Sequence, residues 1–365
     1  MLQLICLRQT WSHMSKVSGF DPLFTAIENS CDCQVQNYFF PQIASEQLSI
    51  IQMVRRKLSF LYVDNTSRYR INPFIGEQSE NIAAKVILVA EQNPDALVLL
   101  SAGEDQFSHN FINANDSVKK RIVIFLHQPP SWLRLQWRDF SALNALGAII
   151  CLSEEQREFI SGVCTSPTIL IKHGVCHDFF RPDPSNKVMV MPRLLFVGQW
   201  LRDFDTLAGS MELIWQERPD TLLNCVIPRF ARNHSALMRL ARDKRVTWHA
   251  DITPEALRDI YLKSTILFLP LIDATANNSI VEALASGLPI VSSNVGGIPD
   301  YVPDNIGELC IQGDVHSHAQ AVINLFHNYE RMNDYIYASR KFAEYELDWE
   351  RIARKLVSEL KASLN

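Results

Sequence analysis

The residues best suited to chemistry lie in one stretch, Leu269 to Val291. It reads as a strand, a small polar loop (Asp273-Ala274-Thr275-Ala276-Asn277-Asn278), a short helix closed by Gly287, and a second strand. A helix entered from such a loop points unpaired N–H groups and the positive end of its dipole at whatever occupies the loop, which suits a diphosphate. The Glu282 carboxylate can accept from two adjacent hydroxyls at once, and the amides of Asn277 and Asn278 both donate and accept. The same residues fit helix capping, with Ser279 and Glu282 at the spacing of a capping box. Spacing alone therefore leaves an anion site and a plain β-α-β crossover evenly matched.

Other candidates follow strands. Arg202 comes after Leu194–Val197 and offers a planar, permanent cation for a phosphate or for an ion pair with Asp203 or Asp205. Arg229 and Arg232 follow the strand from Leu222. His127 ends the strand Ile122–Leu126, and His173 also ends a strand, where a structural role weighs equally. The first loop, Trp11 to Phe20, carries hydroxyls, Lys16 and Gly19. Ser18 and Gly19 there suit phosphate, and Trp11 and His13 suit an acceptor.

The elements that must position these groups form an α/β pattern. The opening run 1–8 reads as a first strand, and apolar runs at 96–100, 122–126 and 148–152 have the composition of strands covered on both faces by helices, with helical stretches at 45–62, 78–92, 132–145 and 154–162. Asp21-Pro22 marks one helix start, and Ser153 with Gln156 another. Three prolines at 181–193 interrupt the pattern, and strands resume at 194–197, 222–226, 246–248, 266–269, 289–291 and 309–311. With 365 residues and about 150 per domain, two doubly wound α/β domains are expected: 1–182, then 193–345, with a closing helix at 346–365. Ligands of open parallel sheets bind beyond the carboxyl ends of the strands, so a cleft between two such sheets is the expected site.

Composition narrows the classes. With 47% hydrophobic and 21% charged residues the chain is globular, and a net charge of -5 gives no field for a nucleic-acid backbone. No apolar run is long enough to cross a bilayer, and the opening residues read as a strand, not as a signal segment. The 8 cysteines lack metal or redox spacing and are expected as reduced thiols in a cytoplasmic protein, with room for peripheral contact at the inner face of a membrane. No D-x-D or ligand cluster suggests a metal.

The segment from Asp273 to Val291 resembles the nucleotide-sugar signature of family-4 retaining glycosyltransferases of the GT-B fold (glycosyl transferases group 1). Val295-Gly296-Gly297-Ile298-Pro299 resembles the turn that follows it. Lys172 to Phe180 is similar to the end of the family's first domain, Phe196-Val197-Gly198 to the opening of its second, and Trp349-Glu350-Arg351-Ile352-Ala353 to its closing helix. The resemblance implies transfer of a sugar from a nucleotide diphosphate sugar to an acceptor hydroxyl (a glycan, a lipid-linked glycan or a small molecule), without a metal or other cofactor. It implies that Glu282 holds the donor ribose and that Asn277, Asn278 and Ser279 meet the diphosphate or sugar. Gly198, Arg202 and Arg229 serve the diphosphate, His173 the donor, and His127 reaches the sugar from the first domain. The first glutamate of the family's E-x₇-E pattern is Ala274 here, with Asp273 beside it as the substitute. That departure keeps two alternatives open: a GT-B protein that binds nucleotide sugars without turnover, and a nucleotide-sugar epimerase.

Overall fold

The computed structural model of the chain describes residues 1–9, 17–40, 77–137, 139–182 and 192–363. Trp11 and His13, the helix expected at 45–62 and most of the proline-rich stretch lie outside the described residues. The chain forms two compact units, Met1–Lys172 with Ile352–Asn365, and His173–Arg351. The division falls before the prolines because Phe180 packs on Tyr261 (ring centroids 5.8 Å apart) and the His173 N–H donates to the Tyr301 hydroxyl at 2.8 Å, which ties this segment to the second unit.

The first unit holds a six-stranded parallel sheet of β1 (Leu2–Arg8), β2 (Cys33–Phe39), β3 (Ala96–Leu100), β4 (Ile122–Phe125), β5 (Ala148–Cys151) and β6 (Thr168–Leu170), in the order β2-β1-β3-β4-β5-β6. The runs β3, β4 and β5 are buried throughout, as central strands of a covered sheet must be. The edge strand β2 escapes the sequence pattern because it presents no continuous apolar run and alternates between half-buried and exposed positions, whereas β6 is the strand expected ahead of His173.

Two local expectations change. Asp21 stands before Pro22 at a helix start, yet its carboxylate does not cap the helix; it takes two bonds of 2.8 Å from the Arg8 guanidinium, a charge-assisted pairing stronger than a neutral cap. The helix expected over 132–145 is instead Pro130–Gln136 followed by a 3₁₀ turn, Ser141–Ala145. The break is local chemistry: Trp137 turns extended and packs edge-on with Phe140 at 5.6 Å, and Asp139 accepts the Ser141 N–H at 2.8 Å.

The second unit repeats the architecture with β7 (Arg193–Val197), β8 (Leu222–Val226), β9 (Val246–His249), β10 (Ile266–Leu269), β11 (Ile290–Ser293) and β12 (Gly307–Cys310), all parallel, in the order β12-β11-β10-β7-β8-β9. The chain builds outward from β7 to β9, then returns to lay β10 on the other side of β7. The crevice between the ends of β7 and β10 is thus the topological switch point, where open α/β sheets bind ligands. Among the described residues no helix is long and apolar enough to cross a membrane.

The Gly-Gly turn after β11 closes down on the loop after β10. A Cβ on Gly296 would lie 2.0 Å from the Ala274 carbonyl oxygen, and the residue has φ 52°. Gly313 shares the left-handed geometry (φ 74°) but faces open space. Gly313→Ala should therefore cost only the backbone strain of about 1–2 kcal/mol, and Gly296→Ala clearly more. Denaturant midpoints check this, and equal losses would show that the turn is not packed as described.

Candidate functional site

At the switch point of the second unit, Arg202 is the central group. Leu201 has φ 55°, a left-handed turn that folds the loop after β7 back on itself, where its carbonyl accepts the Ile272 N–H at 2.9 Å. The half-buried guanidinium donates to the carbonyls of Val197 (2.8 Å) and Trp200 (2.9 Å), and its Nη2 reaches Asn277 Oδ1 and Ser279 Oγ, both at 3.3 Å. Gly198 is required beneath it, since a Cβ there would sit 2.7 Å from Nη2. All these partners are neutral. The ion pair with Asp203 or Asp205 does not form; Asp203 instead caps the helix Phe204–Glu217 through Thr206. Burial lowers the Arg202 pKa from 12.5 to about 10, so it remains a cation at neutral pH without a carboxylate counter-ion among the described residues.

The helix Asn278–Ala285 starts against this cation. Its N-cap is Asn277, whose Oδ1 accepts the Ser279 N–H at 3.0 Å, so Ser279 lies inside the helix and the capping-box arrangement with Glu282 is not formed. A helix N-terminus and a guanidinium, both positive, face the same loop, and the obvious ligand for that pair is an anion. Glu282, one turn further on, is 4% exposed. Beside it the Tyr261 hydroxyl donates to the Ser279 carbonyl at 3.4 Å; burial and the Glu282 charge push the Tyr261 pKa well up, so the phenol stays protonated. Tyr261 carries no sequence signal, being one apolar position of an amphipathic helix.

The remaining residues of this unit separate by role. Asp273 accepts its neighbour Ala274's N–H at 2.8 Å, while the Ala274 carbonyl takes the Gly297 N–H at 2.9 Å. His173 is 5% exposed, donates through Nδ1 to the Gly174 carbonyl at 2.7 Å and packs 5.3 Å from the Trp349 ring, contacts that account for it within the core. Arg229 lies in a 3₁₀ turn after β8, 81% exposed, in a surface ion pair with Asp251. Arg232 spends its donors on the Ile227 and His249 carbonyls. Among the described residues no cluster of three or more His, Cys, Asp or Glu could hold a metal ion.

In the first unit the strand ends gather around His127. Its Nε2 lies 2.7 Å from the Ser101 carbonyl, which can only accept, so Nε2 carries the proton and Nδ1 presents its lone pair. Burial lowers the imidazole pKa, which keeps the ring neutral. Gly19 (φ 80°) turns the first loop so that the Phe20 ring meets the His127 ring edge-on at 4.9 Å, which places Ser18 and Gly19 beside this cluster. Sequence reasoning missed the groups that hold the turn. Glu104 accepts the His127 N–H and, at 2.7 Å, the Gln128 N–H; Gln156 donates to the carbonyls of Leu126 (3.2 Å) and Gln128 (2.8 Å). Only Gln156 left a trace, as the third residue after the N-cap Ser153.

Burial pushes the Glu104 pKa from 4.5 up to about 8. The folded protein then holds a proton that the unfolded chain has lost, so this group's contribution to stability declines as pH rises from the ordinary carboxyl range through about 8. Glu104→Gln removes that dependence. The melting temperature of the variant relative to the parent should rise steadily between acid and mildly alkaline pH, and a difference that stays constant would contradict the buried acid.

Comparison with known proteins agrees with this geometry. Residues 191–328 match the family described as glycosyl transferases group 1. Over 250 residues the chain is 25% identical to alpha-maltose-1-phosphate synthase of Mycolicibacterium smegmatis, covering 60% of this chain and 64% of that one. It spans 35% of the length of a second curated relative, at 28% identity. Among solved structures, it is similar to sucrose-phosphate synthase from Thermosynechococcus elongatus (TM-score 0.73, 15% identity, 99% of both chains). It is also similar to Anabaena Alr3699/HepE in complex with UDP and glucose (TM-score 0.67, 15% identity, 99% of this chain and 100% of that one). The switch-point loops of the second unit thus lie within the segment that is similar to the glycosyl transferases group 1 family, and the chain has the GT-B fold.

Proposed function

We propose that this protein is a retaining glycosyltransferase that moves a sugar from a nucleotide diphosphate sugar to an acceptor hydroxyl. The observation that carries the reading is Arg202, a cation without a counter-ion among the described residues, set against the start of the helix Asn278–Ala285 at a switch point. A leaving diphosphate supplies the missing negative charge. In this reading Arg202 and the helix start stabilise that charge as the bond to the anomeric carbon breaks, in place of a metal. Front-face attack follows, with the acceptor oxygen bonding to the anomeric carbon while a leaving phosphate oxygen takes its proton. Glu282, beside Tyr261, accepts from the ribose hydroxyls. Asn278 and Asp273 face the sugar, His127 offers Nδ1 to a sugar hydroxyl, Ser18 and Gly19 serve the donor, and Trp11 and His13 the acceptor. The UDP and glucose in the Anabaena relative support a donor of this class.

A second reading, binding without turnover, is favoured by one observation: Ala274 stands where the family places a glutamate, and the Asp273 side chain is turned to its neighbour's N–H. A thermal-shift screen of UDP, GDP, ADP and their sugars, followed by product analysis, separates the two. Stabilisation with transfer supports the enzyme, stabilisation without transfer or hydrolysis supports the binder, and no stabilisation at millimolar ligand removes both.

Within the first reading, Arg202→Ala should lower turnover by about 10²-fold or more with a smaller loss of donor affinity, because the contact is strongest to the departing diphosphate. Steady-state kinetics decide it, and parental turnover would rule the role out. Glu282→Gln keeps the size of the side chain but gives up the charge. It should weaken donor binding by about 1.5–3 kcal/mol while the ligand-free melting temperature moves little. The reverse pattern, unchanged affinity and lost stability, would assign Glu282 to the core.

A further inference from the structure

We propose that Glu104 is the positioning residue for His127: by accepting two successive backbone N–H groups on one carboxyl oxygen it fixes the strand-end turn and, through it, the ring. The inference rests on the reading in which His127 touches the donor sugar. Both the His127 and the Gln128 N–H converge on Glu104 Oε1, so the carboxyl acts on the backbone that carries the ring. With the backbone held there, Nε2 reaches the Ser101 carbonyl and Nδ1 is left to accept from a ligand.

The surroundings are arranged for this contact. Glu104 sits in the single turn Gly103–Gln106 after β3, and Gly103 lets that turn lie against β4: a Cβ there would come within 3.0 Å of Ile124 Cβ and 3.1 Å of the Phe125 carbonyl. Gln106 braces the turn by accepting the Ala102 N–H at 3.0 Å. From the β5 side, Gln156 holds the flanking carbonyls, so the His127 turn is gripped from two neighbouring strands.

Stability alone does not explain the choice of an acid. Glu104 is 8% exposed and forms no ion pair among the described residues. The titratable groups facing it are Asp105 on its own turn, His127 itself and Cys151 on β5, none of them a cation at neutral pH. A buried, unpaired carboxyl costs stability, so its retention is better explained by what it holds.

The test uses the full chain with isotopically labelled histidine, the His127 resonance being assigned by its loss in His127→Ala. In Glu104→Ala the His127 resonance should move and its titration midpoint rise, while His318, fully buried in the second unit, keeps its signal. Turnover should fall on the order of 10- to 100-fold with nucleotide affinity unchanged, as expected for a misplaced reactive group. Glu104→Gln, which retains the acceptor oxygen, should restore both readouts. If Glu104→Ala does not fold, Glu104→Asp keeps the carboxyl group and loses the reach, and should behave as Glu104→Ala. An unmoved His127 resonance, a moved resonance with parental turnover, or a failure of Gln to restore would each overturn the proposal. A parent protein without transfer activity would count against the functional reading alone, with the His127 resonance still deciding what Glu104 holds.

Discussion

A positive charge held by neutral partners organises the second unit. The Arg202 guanidinium is ringed by the Val197 and Trp200 carbonyls, an amide oxygen and a hydroxyl, with no carboxylate among the described residues. Removing a cation from water without a counter-ion is costly, and the local structure offsets that cost with hydrogen bonds that demand unusual geometry. Gly198 must lack a side chain, Leu201 must turn left-handed, and Asn277 must serve its helix cap and the guanidinium with the same oxygen. A carboxylate placed here would satisfy the cation and close the site to other anions.

The first unit holds a buried acid under similar constraint. Glu104 has no cation partner among the described residues, keeps its proton up to about pH 8, and is held by backbone N–H groups at a strand end. In both units a buried ionisable group is matched to neutral hydrogen-bonding partners, and in both it lies beyond the carboxyl edge of a parallel sheet, where loops are free to vary while the strands fix their origins. The sheets themselves are conventional in composition. The unusual choices concentrate in the loops.

The loop after β10 shows how a departure from a family pattern is absorbed. Ala274, where the resemblance expects a glutamate, is 5% exposed, and its backbone is bonded on both sides, by the Asp273 side chain and the Gly297 N–H. The Gly296 turn lies so close to the Ala274 carbonyl that the two loops are one packed object. A change of residue at this position is therefore coupled to the turn after β11, and one oxygen of Asp273 is engaged by the Ala274 N–H.

The sequence alone determined the α/β class, the central strands and the loop-helix-strand segment around Glu282, because these depend on local quantities: apolar runs, helix period, and glycine at a helix end. It also marked Arg202 and His127 as strand-end groups. The edge strand β2 stayed hidden because it alternates half-buried and exposed positions and presents no continuous apolar run. Whether Arg202 pairs with Asp203, whether Ser279 or Asn277 caps the helix, and what holds His127 were decided only in three dimensions, since each is a competition among groups that sequence places at several plausible spacings. Glu104 and Tyr261 were invisible for the same reason: the groups they bind, at Gln128 and Ser279, lie many residues away along the chain, and only the packing of strand on strand and helix on sheet brings donor to acceptor.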